Sequence, residues 1–433
     1  MEGSVLTPWG RSDQLRDRRL RPGPGKQRAD VERNHRERLF GATVAIVDEQ
    51  GYEGMNVRAV AARAGVSRGT VYEHFGGGQG CFLATFEALM DDGLARVSRA
   101  YANSDGAWDV RLGAALDALF EAIVAQPAAA RLCFLETHAA GSAGAELRER
   151  GATALEALVR DALDQSPERA DMPAEVICAI AGAIRTVVET RLRRRREHEL
   201  PALAPQLLRW LCSYHRPVPA LPETRVQAST APRFVASSHR DRLFVGMAKA
   251  IHAKGYTGMS VSDLAAAAGV SFTTFYDNYD GKEAAFLAAC DFGIEQAFAA
   301  VRHAWDRECA HGWPAQVQAG MRELLGFLAA EPEWAHMAMV DIFAAGARAR
   351  ARRDRTIRLF TSLVEPGREL APEVEPIVVE ALGGAVYSLM YSRICHAGAQ
   401  KLPEILPAAV FLLLAPFVGN PAAATLAREP ATE

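Results

Sequence analysis

The feature that most restricts this chain is that it contains itself twice. The segment RERLFGATVAIVDEQGYEGMNVRAVAARAGVSRGTVYEHF, starting at Arg36, lies without a gap over RDRLFVGMAKAIHAKGYTGMSVSDLAAAAGVSFTTFYDNY, starting at Arg240. Leu39 matches Leu243, Phe40 matches Phe244, and Gly51-Tyr52 and Gly54-Met55 match Gly255-Tyr256 and Gly258-Met259. Ala64-Gly65-Val66-Ser67 matches Ala268-Gly269-Val270-Ser271, and Thr70 and Tyr72 match Thr274 and Tyr276. Turn-forming positions agree as well as apolar ones, so two low-complexity helices do not account for the match. A repeat this long implies two copies of one architecture, and 433 residues exceed what a single hydrophobic core usually organises.

Everything within the copies reads as helix, because Ala, Leu, Arg and Glu dominate, apolar residues recur at three and four, and no sustained alternation is present. The expected fold class is therefore all-α, as two tandem units. Residues 217–237 are rich in Pro, Ser and Thr without helical periodicity and read as a linker. Residues 1–32 are polar, carry Arg16, Arg18, Arg19, Arg21, Lys26 and Arg28, and are expected to be a disordered basic tail. The expected division is a reader at 33–81, a helical domain at 82–216, a second reader at 238–285, a second helical domain at 286–420, and a tail at 421–433.

Within each reader two short helices are joined by a glycine turn. Asn56 and Ser260 can cap the helices that begin at Val57 and Val261, and Gly65 and Gly269 can take the positive φ of a tight turn. Ser67 and Ser271 then cap a second short helix. This is the pattern of a helix-turn-helix, whose second helix enters the major groove of double-stranded DNA, where each base pair shows a distinct pattern of donors and acceptors. The exposed reading positions are Arg68, Gly69, Thr70 and His74 in the first copy and Phe272, Thr273, Thr274 and Asn278 in the second. Arg68 suits guanine, Asn278 suits adenine, and Phe272 and Thr273 suit thymine methyl groups, so the two copies should prefer different sequences.

With Gly-Tyr, the cap, Ala-Gly-Val-Ser, Thr and Tyr in the same order twice, each copy resembles the DNA-binding domain of the TetR family of repressors. The resemblance implies a phosphate contact for Tyr72 and Tyr276, with packing under the helix as the alternative. It implies a phosphate-neutralising charge at Lys282, where the first copy has Gly78-Gln79 inside a GGGQG run and gains a flexible hinge instead. It further implies that the helical domains bind a small-molecule effector and pair through their last two helices. Those pairs, 174–191 with 202–215 and 373–396 with 402–418, can associate as an intramolecular pseudo-dimer or between chains in a homodimer. Candidate ligand-binding residues are Cys133 and Glu136 in the first unit and Trp334, Met337, Asp341 and Phe343 in the second, the two acids either bonding within the core or lining a cavity.

The remaining composition excludes more than it assigns. Seven scattered cysteines without a CxxC pair give no disulfide framework or metal site. GGGQG lacks the Lys and Ser or Thr of a nucleotide loop, and no nucleophile and base arrangement stands out, so neither an enzyme nor a cofactor is expected. No run reaches the ~18–20 uninterrupted apolar residues of a bilayer span, so no membrane partner and a cytoplasmic setting are expected. The function read from the sequence is a DNA-binding transcriptional repressor released by a small molecule. A protein-interaction or sequestering scaffold with one or both readers inactive is the alternative.

Overall fold

The structure, a computed structural model, describes residues 4–20, 27–222, 233–234 and 238–428. Arg21 and Lys26 of the basic tail, most of the 217–237 linker and the last residues of the C-terminal tail lie outside the described residues. Among the described residues the fold is all-α apart from a two-stranded hairpin, β1 (Leu6–Thr7) and β2 (Gly10–Arg11). The first repeat comprises α1 (Arg28–Gln50), α2 (Val57–Ala64), α3 (Arg68–Phe75), α4 (Gly78–Asn103), α5 (Trp108–Ala125), α6 (Pro127–Arg131), α7 (Gly141–Asp164), α8 (Ala174–Arg193) and α9 (Leu200–Cys212). The second comprises α10 (His239–Gly258), α11 (Val261–Ala268), α12 (Phe272–Asn278), α13 (Lys282–Arg307), α14 (Trp313–Ala330), α15 (Pro332–Met339), α16 (Ala347–Thr361), α17 (Gly367–Leu370), α18 (Pro376–Ala397), α19 (Leu406–Val418) and α20 (Asn420–Leu426). The chain divides into two compact units, and the division does not follow the repeat: one unit holds Met1–Ala162 and Val187–Leu208, the other Leu163–Thr186 and Arg209–Glu433.

In the first unit α1 is the hub. Its residues Leu39, Ala42 and Ile46 are buried with Val60, Ala61 and Ala64 of α2, Val71 of α3 and Cys81 of α4. A second apolar cluster joins Val44 and Val47 to Phe82 and Phe86 of α4 and to Ala128, Ala129 and Leu132. An ion pair connects Arg131 of α6 to the nearly buried Asp48 of α1, and the same guanidinium reaches Glu197 at 3.0 Å. The boundary expected between residues 81 and 82 falls inside α4, a continuous helix, and the boundary at 285 and 286 likewise falls inside α13.

The N-terminal tail is the main correction. Residues 4–20 are packed, because Leu15 supplies an apolar side chain that the reader's core encloses completely. Thr7 and Ser12 are buried beside it, and the ring of Trp9 lies 5.1 Å from that of Phe40. A polar composition concealed a few well-spaced apolar residues. The helix α1 also begins at Arg28, inside the expected tail. At the other end α20 occupies the start of the expected 421–433 tail and buries Ala423 and Ala424. Phe234, assigned to the linker, packs its ring against Phe292, Phe327 and Trp334, and the Arg233 guanidinium pairs with Glu323 at 2.8 Å.

In the second unit α10 packs on α11, α13 and α15, and α18 and α19 form the most apolar part of the core. By length and composition Lys282–Arg307, Pro376–Ala397 and Ala399–Val418 are apolar enough to cross a membrane. For the last two, 72% of the span is buried against other helices, so their apolarity is used in packing.

If Leu15 is enclosed as described, Leu15→Ala removes a buried side chain from the reader's core and should destabilise the protein by about 3 kcal/mol. Urea unfolding measures this, and a change below about 0.5 kcal/mol, the usual effect of a surface substitution, would return the segment to a solvated tail.

Candidate nucleic-acid interface and effector cavity

Each reader is built by local capping. The Asn56 side chain accepts a hydrogen bond from the Ala59 N–H at 2.9 Å, and the Ser67 hydroxyl accepts one from the Thr70 N–H at 3.0 Å. In the second copy Ser260 and Asp263 form a reciprocal capping box, and the Ser271 hydroxyl accepts from the Thr274 N–H at 3.0 Å. Lys254 bonds Asp263 at 2.6 Å and holds its carboxyl well below the usual carboxylate range. Gly65 and Gly269, at φ 66° and 61°, make the turns that set α3 and α12 against their neighbours.

The turn of the first copy has an additional support. Arg38, almost fully buried, donates to the Ala64 carbonyl at 2.9 Å, and Arg16 donates to the Ala62 carbonyl at 2.7 Å. Both guanidinium groups thus sit at the C-terminal end of α2, where unpaired carbonyls and the helix dipole favour cations. Arg16 was named only as part of a basic tail and Arg38 not at all, so neither bracing role was expected. Arg38 has a counterpart in Arg242, but that residue is exposed, so the repeat carries no signal for the role. The GGGQG run is a tight junction and not the flexible hinge expected: a Cβ on Gly80 would lie 2.0 Å from the Phe75 carbonyl oxygen, so the last turn of α3 packs directly on the start of α4.

Most of the side chains named as reading positions are exposed. Arg68 and Gly69 are exposed, as are Thr273 and Asn278, and Phe272 is 52% exposed despite its apolar ring. Tyr72 and Tyr276 are 58% and 57% exposed, which excludes packing under the helix. Thr70 and Thr274 are half-buried, each within 2.9 Å of its capping serine hydroxyl. His74 is half-buried with its ring edge-on to His35 of α1 at 5.9 Å, a packing role rather than a base-reading one. Lys282 also departs from expectation: its ammonium donates to the carbonyls of Tyr256 at 2.9 Å and Met259 at 3.1 Å and lies over the Tyr256 ring, so it ties α13 to the end of α10 instead of facing phosphate. Partial burial pulls its pKa down.

In the second unit a cavity of about 140 Å³ opens among α13, α14, α15, α16 and α18. Trp334 lines it, and so do Met321, Met339 and Tyr387. Its charged wall residue is Arg353, only 5% exposed, whose guanidinium lies 4.2 Å from the Tyr387 ring centroid and 4.9 Å from that of Phe343. Met337, Asp341 and Phe343 are not on the wall: Met337 is enclosed in the core, Asp341 bonds His336 at 2.7 Å, and Phe343 stands behind Arg353. In the first unit Cys133 packs on the cluster around Phe82, and Glu136 accepts from the Tyr52 N–H at 3.4 Å, so that acid bonds to the turn after α1.

Two copies of a capped helix-turn-helix now stand in one chain, and the sequence profile described as "Bacterial regulatory proteins, tetR family" matches residues 39–85 and 247–289. Both readers, and no more than the readers, are matched by the TetR-family profile. It is 45% identical over 47 residues to the HTH-type transcriptional repressor KstR of Mycolicibacterium smegmatis, covering 11% of this chain and 23% of that protein. It is 33% identical over 87 residues to the HTH-type transcriptional regulator BetI 2 of Chromohalobacter salexigens, covering 20% and 42%. The chain thus matches less than half the length of either relative. A solved structure described as the transcriptional regulator FadR from Bacillus subtilis in complex with stearoyl-CoA aligns with 41% of this chain and 97% of its own, at 20% identity and a TM-score of 0.38.

Because Arg68 is exposed, Arg68→Ala should leave the unfolding midpoint unchanged while weakening binding to a selected duplex by about 1–3 kcal/mol, read by fluorescence anisotropy. Lys282→Met should do the reverse, lowering stability without changing the dependence of binding on salt. A reduced salt slope for Lys282→Met would place its charge on DNA after all.

Proposed function

We propose that this TetR-family protein is a transcriptional repressor that holds operator DNA through its helix-turn-helix motifs and releases it when a small molecule enters the helical domain. The observation that carries the reading is the exposure of Arg68 with Tyr72, and of Phe272 and Asn278 with Tyr276, on short helices whose backbones are fixed by Ser67 and Ser271. Arg68 and Asn278 read base edges, and the two tyrosine hydroxyls take phosphate oxygens. The first reader also gains the fixed cations of its N-terminal segment. Arg18 and Arg19 lie beside it on a backbone that Leu15 anchors.

The effector enters the cavity between α13 and α18. An apolar wall with adaptable Met321 and Met339 suits a drug-like, lipid-like or acyl-thioester compound, and Arg353, paired with Asp354 at 3.2 Å, puts a charged group on that wall. Release follows from connectivity. The helix α13 lines the cavity through Ile294, Ala297 and Val301, and at its first residue Lys282 it is bonded to the end of the reader's first helix, α10. A ligand that fits only a displaced α13 therefore biases the reader's placement, and it acts only by the difference in its affinity for the two placements.

The test is enrichment of a random duplex pool on the purified chain, followed by titration of the selected duplex with apolar and amphipathic compounds. A defined sequence, released by at least one compound class, is the expected result. Ala338→Phe, which fills the cavity, should leave affinity for the duplex unchanged and abolish release. Binding to random duplex that never sharpens into a sequence favours a sequestering scaffold. That outcome is most credible for the second reader, where Asp277 and Asp280 are exposed beside the tyrosine and repel phosphate.

A further inference from the structure

The second unit contains the end of the first repeat. Residues 163–186 and 209–222 are packed with the terminal helices of the second repeat, and the contacts follow a rule. A Cβ on Gly182 would lie 2.1 Å from the Ser388 hydroxyl, and a Cβ on Gly384 would lie 2.6 Å from Cβ of Thr186. The sequences around these residues, AIAGAIRT at 179–186 and ALGGAVYS at 381–388, put Gly182 and Gly384 in equivalent places, and Thr186 and Ser388 likewise. Glycine of one copy therefore meets the hydroxyl residue of the other, and the reverse. A reciprocal contact of that kind is what a two-fold axis produces between identical subunits.

The rest of the seam is fully joined. Tyr214, with no exposed surface, donates its phenol proton to the Leu412 carbonyl at 2.8 Å and receives the Trp210 indole N–H at 3.1 Å. The Asn420 side chain accepts from the His215 N–H at 2.9 Å and donates to the Ser213 carbonyl at 2.8 Å. Arg185 donates to the Ser388 hydroxyl at 3.2 Å, Arg393 pairs with Glu175 at 3.4 Å, and Arg209 pairs with Glu375. Apolar α18 and α19 are thereby covered from within the chain.

From this seam we infer that the chain is its own dimer: the helix pair that would otherwise recruit a second copy is satisfied intramolecularly, so one chain supplies both readers to one operator. The inference rests on the proposed DNA-binding reading only for that last clause, and the seam is tested without DNA. Light scattering of the free chain should give 46.8 kDa over about a hundredfold range of concentration. Chains carrying two different tags and produced together should not co-purify. A mass rising to twice that value, or recovery of one tag with the other, overturns the inference whatever the DNA experiment shows.

The seam itself is checked by Gly182→Ala and Gly384→Ala. Alanine in a helix interior ordinarily stabilises relative to glycine, and Gly93→Ala on α4, with open space around it, should leave the melting temperature unchanged or raise it. At 182 and 384 the added methyl should lower it, and a rise at both positions would show that the helices do not meet there. If free chains are single, light scattering of the complex with a selected duplex should find one chain per duplex, and two chains per duplex would overturn the last clause.

Discussion

The close approach of Gly182 to Ser388, and of Gly384 to Thr186, is the constraint on which the rest of this protein depends. Helices as apolar as α18 and α19 need a permanent partner, since an exposed face of this size drives association. Small residues let two backbones come close enough for Tyr214 and Asn420 to reach across and bond main-chain groups. A gene that carries two units can place that partner on the same chain, and the effective concentration of the tethered partner replaces the bulk concentration on which an ordinary dimer depends. The two halves are then free to diverge, because neither has to match a copy of itself.

Divergence is visible in how the readers are held. Both use a serine cap and a glycine turn, which fix the recognition helix through backbone geometry alone. Beyond that they differ: the first braces the turn between α2 and α3 with the guanidinium groups of Arg16 and Arg38, and the second braces the junction between α10 and α11 with Lys282 and the Ser260–Asp263 box. Arg68 faces outward in one copy where Phe272 does in the other, so the two surfaces offer DNA different chemistry on one scaffold.

How much of this was legible in the sequence depended on whether the information was local. Caps, turns and helix ends are decided within four residues, so Asn56, Ser67, Gly65 and their counterparts stand where the pattern put them. The positions that failed are those decided across the fold. Leu15 looks like one apolar residue in a polar tail until the cleft it fills is known, and Lys282 looks like a free cation until two carbonyls converge on it. Met337, Asp341 and Phe343 share the composition of a pocket wall but do not line the cavity, because their immediate neighbours Ala338 and Ile342 take the wall positions. The seam was legible in principle: Leu200-Pro201-Ala202-Leu203-Ala204-Pro205 and Leu402-Pro403-Glu404-Ile405-Leu406-Pro407 repeat as clearly as the readers do. That register is shifted from the register of the readers, and a single gapless comparison does not find it.

The measurement that bears most directly on the account is hydroxyl-radical footprinting of the selected duplex with the native chain and with Arg68→Ala and Phe272→Ala separately. If one chain reads two unlike half-sites, each substitution removes protection from its own half and leaves the other half covered. Loss of protection over the same half by both, or no effect from either, would contradict a division of reading between the two copies.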